Sequence, residues 1–256
     1  MAATTEQYYF AQGRCFGREP GGKWVWWGDM PELSFGASVE TVRRRESYSG
    51  KKGTVARFDF LDQVSFKAKV GQVDGGTLAR FAGGTVTTTP AGSVTGETLG
   101  TVEAGDVIML AHGGVSSLVI TDSNSTPATI AAANYELSSA AHGRLLFKTL
   151  PSAPAPTPPL RAAYSHTGDE QVALFNRLVP SMEFRFEGIN LANGGKPVIF
   201  EAYKLSTSFL QTFPLITSGT DTLDLDVEGE MLLDSSKPAG GALGQFGRFV
   251  MVNPLA

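Results

Sequence analysis

Hydrophobic and polar side chains alternate most cleanly in the segment RFDFLDQVSFKAKV. There Phe58, Phe60, Val64, Phe66, Ala68 and Val70 fall on even positions, and Arg57, Asp59, Gln63, Ser65, Lys67 and Lys69 on odd ones. A period of two sends successive side chains to opposite faces, so the segment is expected to be a half-buried strand with one wet face. The phase slips at Leu61 and Asp62, where a bulge would absorb the extra residue. Upstream, Leu33, Phe35, Ala37 and Val39 alternate with Ser34, Gly36, Ser38 and Glu40. These two runs flank ETVRRRESYSGKKGT, which becomes the tip of a long antiparallel hairpin over about residues 30–72. A turn at Asp74 and Gly75 then leads into a short helix over residues 76–81.

The pattern returns near the C-terminus. MEFRFEG buries Met182, Phe184 and Phe186 and exposes Glu183, Arg185 and Glu187; NGG at 193–195 is a hairpin signal leading into PVIFEAYKL. TLDLDVEGEMLLD places Leu223, Leu225, Val227, Met231 and Leu233 on one face and Asp224, Asp226, Glu228, Glu230 and Asp234 on the other. QFGRFVMV reads as a closing strand. Between these regions, residues 86–168 differ in character. They hold only eight charged residues, and short apolar pieces recur between turns, as a small β module would require. PSAPAPTPP puts five prolines in nine residues, which makes a stiff extended connector or an edge-hugging loop. The expected organisation is a β-sandwich or barrel-like core from residues 1–85 and 169–256, with one short helix and an inserted β-rich module at 86–168. No repeat at a solenoid or propeller period is present.

Composition narrows the class. A chain of 256 residues with 42% hydrophobic and 18% charged residues suits a packed protein and not a disordered one. No apolar run approaches the roughly 20 residues needed to span a bilayer, and the first residues lack the pattern of a secretory signal. The single cysteine, Cys15, leaves no internal disulfide and no multi-cysteine metal site. Enzyme motifs for phosphate loops, dinucleotides, zinc hydrolysis and serine nucleophiles are missing. His112, His142 and His166 lie at least 24 residues apart, each in a turn. They read as surface histidines, with zinc binding by a folded cluster as the alternative. Cys15 with a distant histidine is the corresponding nucleophile alternative, and nothing around it activates a thiol. No cofactor is expected.

Two charged segments remain. The tip holds Arg43, Arg44, Arg45, Lys51 and Lys52 against Glu46, in a chain of formal net charge -4. It reads as a solvated turn, as a phosphate-binding loop, or as a contact for acidic surface on another copy. The last gains weight because residues 221–234 carry six acids and no base, and because Tyr48 is the loop's only aromatic for stacking on bases. The acidic strand reads as a solvated face, as an electrostatic surface with a purpose, or as a paired-carboxylate glycosidase site.

Together these pieces resemble a tail tube protein of a long-tailed bacteriophage. The resemblance rests on GDMPELSFGASVETVRRRESYSGKKGTVARFDF, on TLARFAGG as the short helix that follows, and on the middle module with YELSSAAHGRLLF and LRAAYSH. MEFRFEGINLANGGKPVIFEAYKL, followed by an acidic strand, completes it. It implies a structural virion protein, without enzymatic activity, whose six copies form a ring and give strands to a continuous inner barrel. Rings would stack head to tail into a tube that surrounds the tape measure protein and conducts DNA. Tail terminator and tail tip proteins would be further partners, with no direct membrane insertion. Assembly would occur in the host cytoplasm, and the middle module leans toward a flexible, non-contractile tail.

Carried onto this sequence, the ring-stacking contact would be Arg43, Arg44, Arg45, Glu46, Tyr48, Lys51 and Lys52. A conduit must not hold its cargo, so cations in the lumen would bind phosphates, whereas an acidic wall would leave DNA mobile. Asp224, Asp226, Glu228 and Glu230 are therefore the lumen candidates. The rival placement has that acidic face accepting the loop of the next ring. A different class of reading, a receptor- or carbohydrate-binding β module of a virion or cell surface, would use WVWWGD, the one exposed-aromatic candidate.

Overall fold

The computed structural model describes residues 8–216, 222–241 and 243–252. The chain is mainly β, with one α-helix among the described residues. It divides into two compact units, Met1–Thr85 with Val172–Ala256, and Val86–Gln171. The expected boundaries lie at 85/86 and 168/169.

In chain order the strands are β1 (Ala11–Arg18), β2 (Val25–Trp26), β3 (Glu32–Arg45) and β4 (Thr54–Val70), followed by the helix α1 (Gly75–Phe81). Strand β5 (Thr85–Thr89) leads to β6 (Gly92–Gly100), β7 (Val107–Met109), β8 (Ser116–Thr121), β9 (Tyr135–Ser139), β10 (Arg144–Phe147) and β11 (Leu160–His166). Then β12 (Asp169–Ala173) pairs with β5, and β13 (Met182–Asn190), β14 (Lys196–Thr207), β15 (Leu225–Met231) and β16 (Gly247–Met251) complete the chain.

The first unit is one eight-stranded sheet in the order β2-β1-β13-β14-β15-β4-β3, with β16 also paired to β14. In a flat sheet, β3 and β14 would lie three strand spacings apart, roughly 14 Å. Phe35 of β3 nevertheless stacks on Phe200 of β14, with ring centroids 4.6 Å apart and planes 2° apart. The sheet is therefore strongly curled, and its concave side holds the core. α1 starts after Asp74, which caps it by accepting from the Thr77 N–H at 2.7 Å, and its Phe81 joins the core of this sheet. Its Phe81 meets the buried Trp27 edge to face at 5.0 Å. Trp27 needs Gly17 beneath it: a Cβ there would sit 2.3 Å from the indole nitrogen. Beyond α1 the concave face stays open as a groove of about 1530 Å³, bordered by Tyr9, Phe35, Phe186, Phe249 and Met251.

Most expected alternations appear as read. Met182 and Phe184 are buried but Phe186 only partly, Leu225, Val227 and Met231 are buried but Leu223 only partly, and the link from β13 to β14 turns through left-handed Gly194 and Gly195. Leu233 is exposed, because β15 ends at Met231. The largest departure is in the hairpin. Phe66, Ala68 and Val70 are buried, but Phe58 and Phe60 are not.

The second unit has two three-stranded antiparallel sheets, β7-β10-β9 and β6-β11-β8. Ile120, Leu145, Phe147 and Leu160 form its core. Asp122, at the end of β8, is buried and ties two loops together. Its carboxylate accepts from the Ala128 N–H at 2.7 Å and from the Thr157 N–H, within the proline-rich connector, at 3.4 Å.

Candidate assembly surface

Strands β3 and β4 pair along their whole length, but β15 joins β4 only from Ser65 to Val70. Beyond that point the hairpin is, among the described residues, a two-stranded ribbon with both edges open. Its register shifts between Ser38 and Val39, where Asp62 is the extra residue, so the expected bulge is present. Ser38 Oγ donates to Asp62 Oδ2 at 3.0 Å and holds the bulge in place.

A one-residue slip moves every following side chain to the other face. Residues opposite each other share a face, so Phe35 with Phe66 and Val39 with Leu61 continue the core side. Phe60 opposite Glu40, and Phe58 opposite Val42, then belong to the outer side. The even-position face expected to run from Phe58 to Val70 is thus broken in two. Phe58 and Phe60 are 52% and 56% exposed, and Val42 is exposed beside them. On the ribbon's other side, Thr41 Oγ1 and Arg57 Nε both donate to Asp59 Oδ1, at 2.7 and 2.9 Å. These two bonds hold the Asp59 carboxyl below the usual range.

At the tip, the Glu46 N–H donates to Gly53 O at 2.9 Å, and the Glu46 carboxylate accepts from Ser49 Oγ. Glu46 therefore closes the loop from inside and does not project with its neighbours. Tyr48 projects, at 82% exposure. Among the described residues, Arg43, Arg44, Arg45, Lys51 and Lys52 form no ion pair. Such a cluster repels itself, and an acidic surface would relieve it.

Far along the same hairpin, Asp226 lies opposite Lys69 and Glu228 opposite Lys67. Lys67 Nζ is 2.9 Å from Glu228, and Lys69 Nζ is 3.3 Å from Glu32. The Lys67 ammonium is accordingly stabilised by Glu228, which raises its pKa. The acidic strand is thus interleaved with lysines, an arrangement that the pairing of β15 with β4 creates. Asp224, Asp226 and Glu230 form no ion pair among the described residues. This face is also not flat: with residues 208–212 it encloses a polar recess of about 450 Å³. Asp221, the first acid of the 221–234 run, lies outside the described residues.

The remaining candidates separate clearly. His112 and His166 stack at 4.0 Å, with Asp169 Oδ2 3.4 Å from His112 Nδ1, while His142 bonds Ser139 elsewhere. No group of three or more metal-ligating side chains occurs among the described residues. Cys15 is buried, and burial pushes its thiol up to about 12, opposite to what a nucleophile needs. In WVWWGD, Trp27 belongs to the core, whereas Trp24 and Trp26 are exposed beneath the Arg18 and Arg14 guanidinium groups, at 4.7 and 5.9 Å. No helix among the described residues is long and apolar enough to cross a membrane.

Fold and surface define a mainly β protein of two units, marked by a projecting ribbon with an apolar face and a cationic tip. The chain belongs to the family described as protein of unknown function UCP028589, whose model matches residues 8–250. A comparison with curated proteins finds no match.

Proposed function

We propose that the protein is a structural virion protein, the tail tube subunit of a long-tailed bacteriophage. Six copies form a ring, and rings stack into a tube that surrounds the tape measure protein and conducts viral DNA. Tail terminator and tail tip proteins cap this tube, and the reading needs neither catalysis nor a cofactor. One observation carries it: the distal β3–β4 ribbon leaves its sheet with two open edges and with Val42, Phe58 and Phe60 exposed.

An isolated two-stranded ribbon is marginally stable in water, and open apolar edges invite pairing with another chain. In a closed ring, the distal edge of β3 in one copy meets the open stretch of β4 in the next, and both edges of the distal ribbon are satisfied. The outer-facing phenylalanines are then covered by neighbours. Because β15 already occupies residues 65–70 of β4, only the distal part of the ribbon is free for this pairing.

Negative-stain microscopy of the purified protein, with and without a tail initiator complex, tests the proposal. Six-fold rings or tubes are expected. Monodisperse monomers under both conditions, with binding to glycans, would replace the proposal with the receptor- or carbohydrate-binding reading, for which Trp24 and Trp26 of WVWWGD are exposed.

A further inference from the structure

We infer that the basic tip of one copy docks into the acidic recess at the foot of the same hairpin in a second copy. The inference rests on the tail tube reading and assigns a contact that reading leaves open. It gives Asp224 and Asp226 an axial role, in place of a lumen wall.

Charge separates along a single element. The tip holds five cations against Glu46, which is turned into its own loop. The foot holds Glu32, Asp224, Asp226, Glu228 and Glu230 against Lys67 and Lys69. Strand β3 between them has 14 residues, so the two ends lie roughly 43 Å apart at 3.3 Å per step. A ribbon of that length cannot bring its own tip to its own foot. Within the ribbon Asp59 already acts on Arg43; for the other tip cations a second copy supplies the opposite charge by construction.

Shape points the same way. A wall facing moving DNA has no need of a recess, whereas a projecting loop does. The recess is bounded by β3, β4, β15 and residues 208–212, and it measures about 450 Å³. Phe209 lies on its border, giving the projecting Tyr48 ring an apolar partner. Lys67 and Lys69 are already paired with Glu228 and Glu32, which leaves Asp226 on the lining of the recess, with Asp224 two positions before it in the chain, for incoming guanidinium groups. Tip and recess are different surfaces, so the contact is heterologous and propagates in one direction, as an open tube requires.

The experiment is a charge swap in the full chain. One variant carries R43E, R44E and R45E; the other carries D224K and D226K, two exposed or half-exposed positions outside the core. Circular dichroism and thermal unfolding establish that each is folded. Each variant alone is expected to form rings that no longer stack, by sedimentation velocity and negative-stain microscopy. An equimolar mixture, or one chain carrying all five changes, is expected to stack again. Normal tubes from either variant alone, or stacking lost without rescue, would overturn this contact while leaving rings and the tube reading in place. A wild-type chain that forms neither rings nor tubes would instead sink the reading itself.

Discussion

The two halves of strand β4 have nearly the same pattern and opposite fates. Phe66 is fully buried, whereas Phe58 and Phe60, eight and six positions away in the same alternating run, are more than half exposed. The difference lies outside the side chains. Over residues 65–70, a third strand pairs with β4 and the curled sheet closes over it; over residues 54–64 no third strand among the described residues arrives, and the bulge at Asp62 has turned the face around. An apolar stripe is thus a demand for burial, and neighbouring strands decide whether the monomer or an assembly meets it.

The comparison can be broken at its foot most severely. Phe66→Ala is expected to destabilise the monomer by about 3–5 kcal/mol, measured by chemical denaturation, because it opens a cavity in a close-packed core. Phe60→Ala is expected to change monomer stability by no more than about 0.5 kcal/mol, since more than half of the residue is exposed. A comparable loss for both would mean that the ribbon packs on its own sheet.

Two changes on the ribbon should act on assembly alone. Phe58→Asp with Phe60→Asp is expected to abolish rings in electron micrographs while leaving the unfolding midpoint in place. Deleting both Leu61 and Asp62 should place Phe60 opposite Val39 and so return Phe58 and Phe60 to the face of Phe66, and ring formation should be lost with little change in β content by circular dichroism. Rings with normal geometry from that deletion would show that the outer face of the ribbon is not the contact.

Smaller effects belong to the carboxylates that hold loops in each unit. Asp74→Ala removes the cap of α1 and is expected to cost about 0.5–2 kcal/mol. The carboxyls of Asp74 and Asp122 are both held below the usual range, first by the backbone N–H of Thr77 and of Ala128 respectively. A folded-state value below the unfolded one gives stability that is fully present above the unfolded value, near pH 4, and is lost as pH falls through the folded value. Acid unfolding below about pH 4 is therefore expected. Asp122→Asn should flatten its contribution to that slope, as followed by fluorescence across a pH series. An unchanged slope would mean that Asp122 is not ionised in the fold.

Much of the first unit could be read from the chain, for local reasons. Alternation in MEFRFEG and in LDLDVEGEM marks buried and wet faces, and the phase slip at Leu61 and Asp62 marks the bulge. Asp74, three residues before Thr77, begins a helix because its side chain reaches that N–H. The candidate surface was legible only in part. The five cations and the acids of β15 are written in the sequence, but the lysines placed among those acids come from β4, more than 150 positions away. No local pattern states which strand will lie beside another.

What the sequence determined alone is therefore periodic and local: strands, their two faces, the bulge, the helix cap and the sign of each charged segment. These follow from backbone geometry and from hydrogen bonds between near neighbours. Tertiary structure decided where β15 stops along β4, and with it which phenylalanines are covered and whether the acids form a wall or a recess. That outcome depends on long-range strand pairing and sheet curl, whose energies are sums over contacts between segments that the chain order does not bring together.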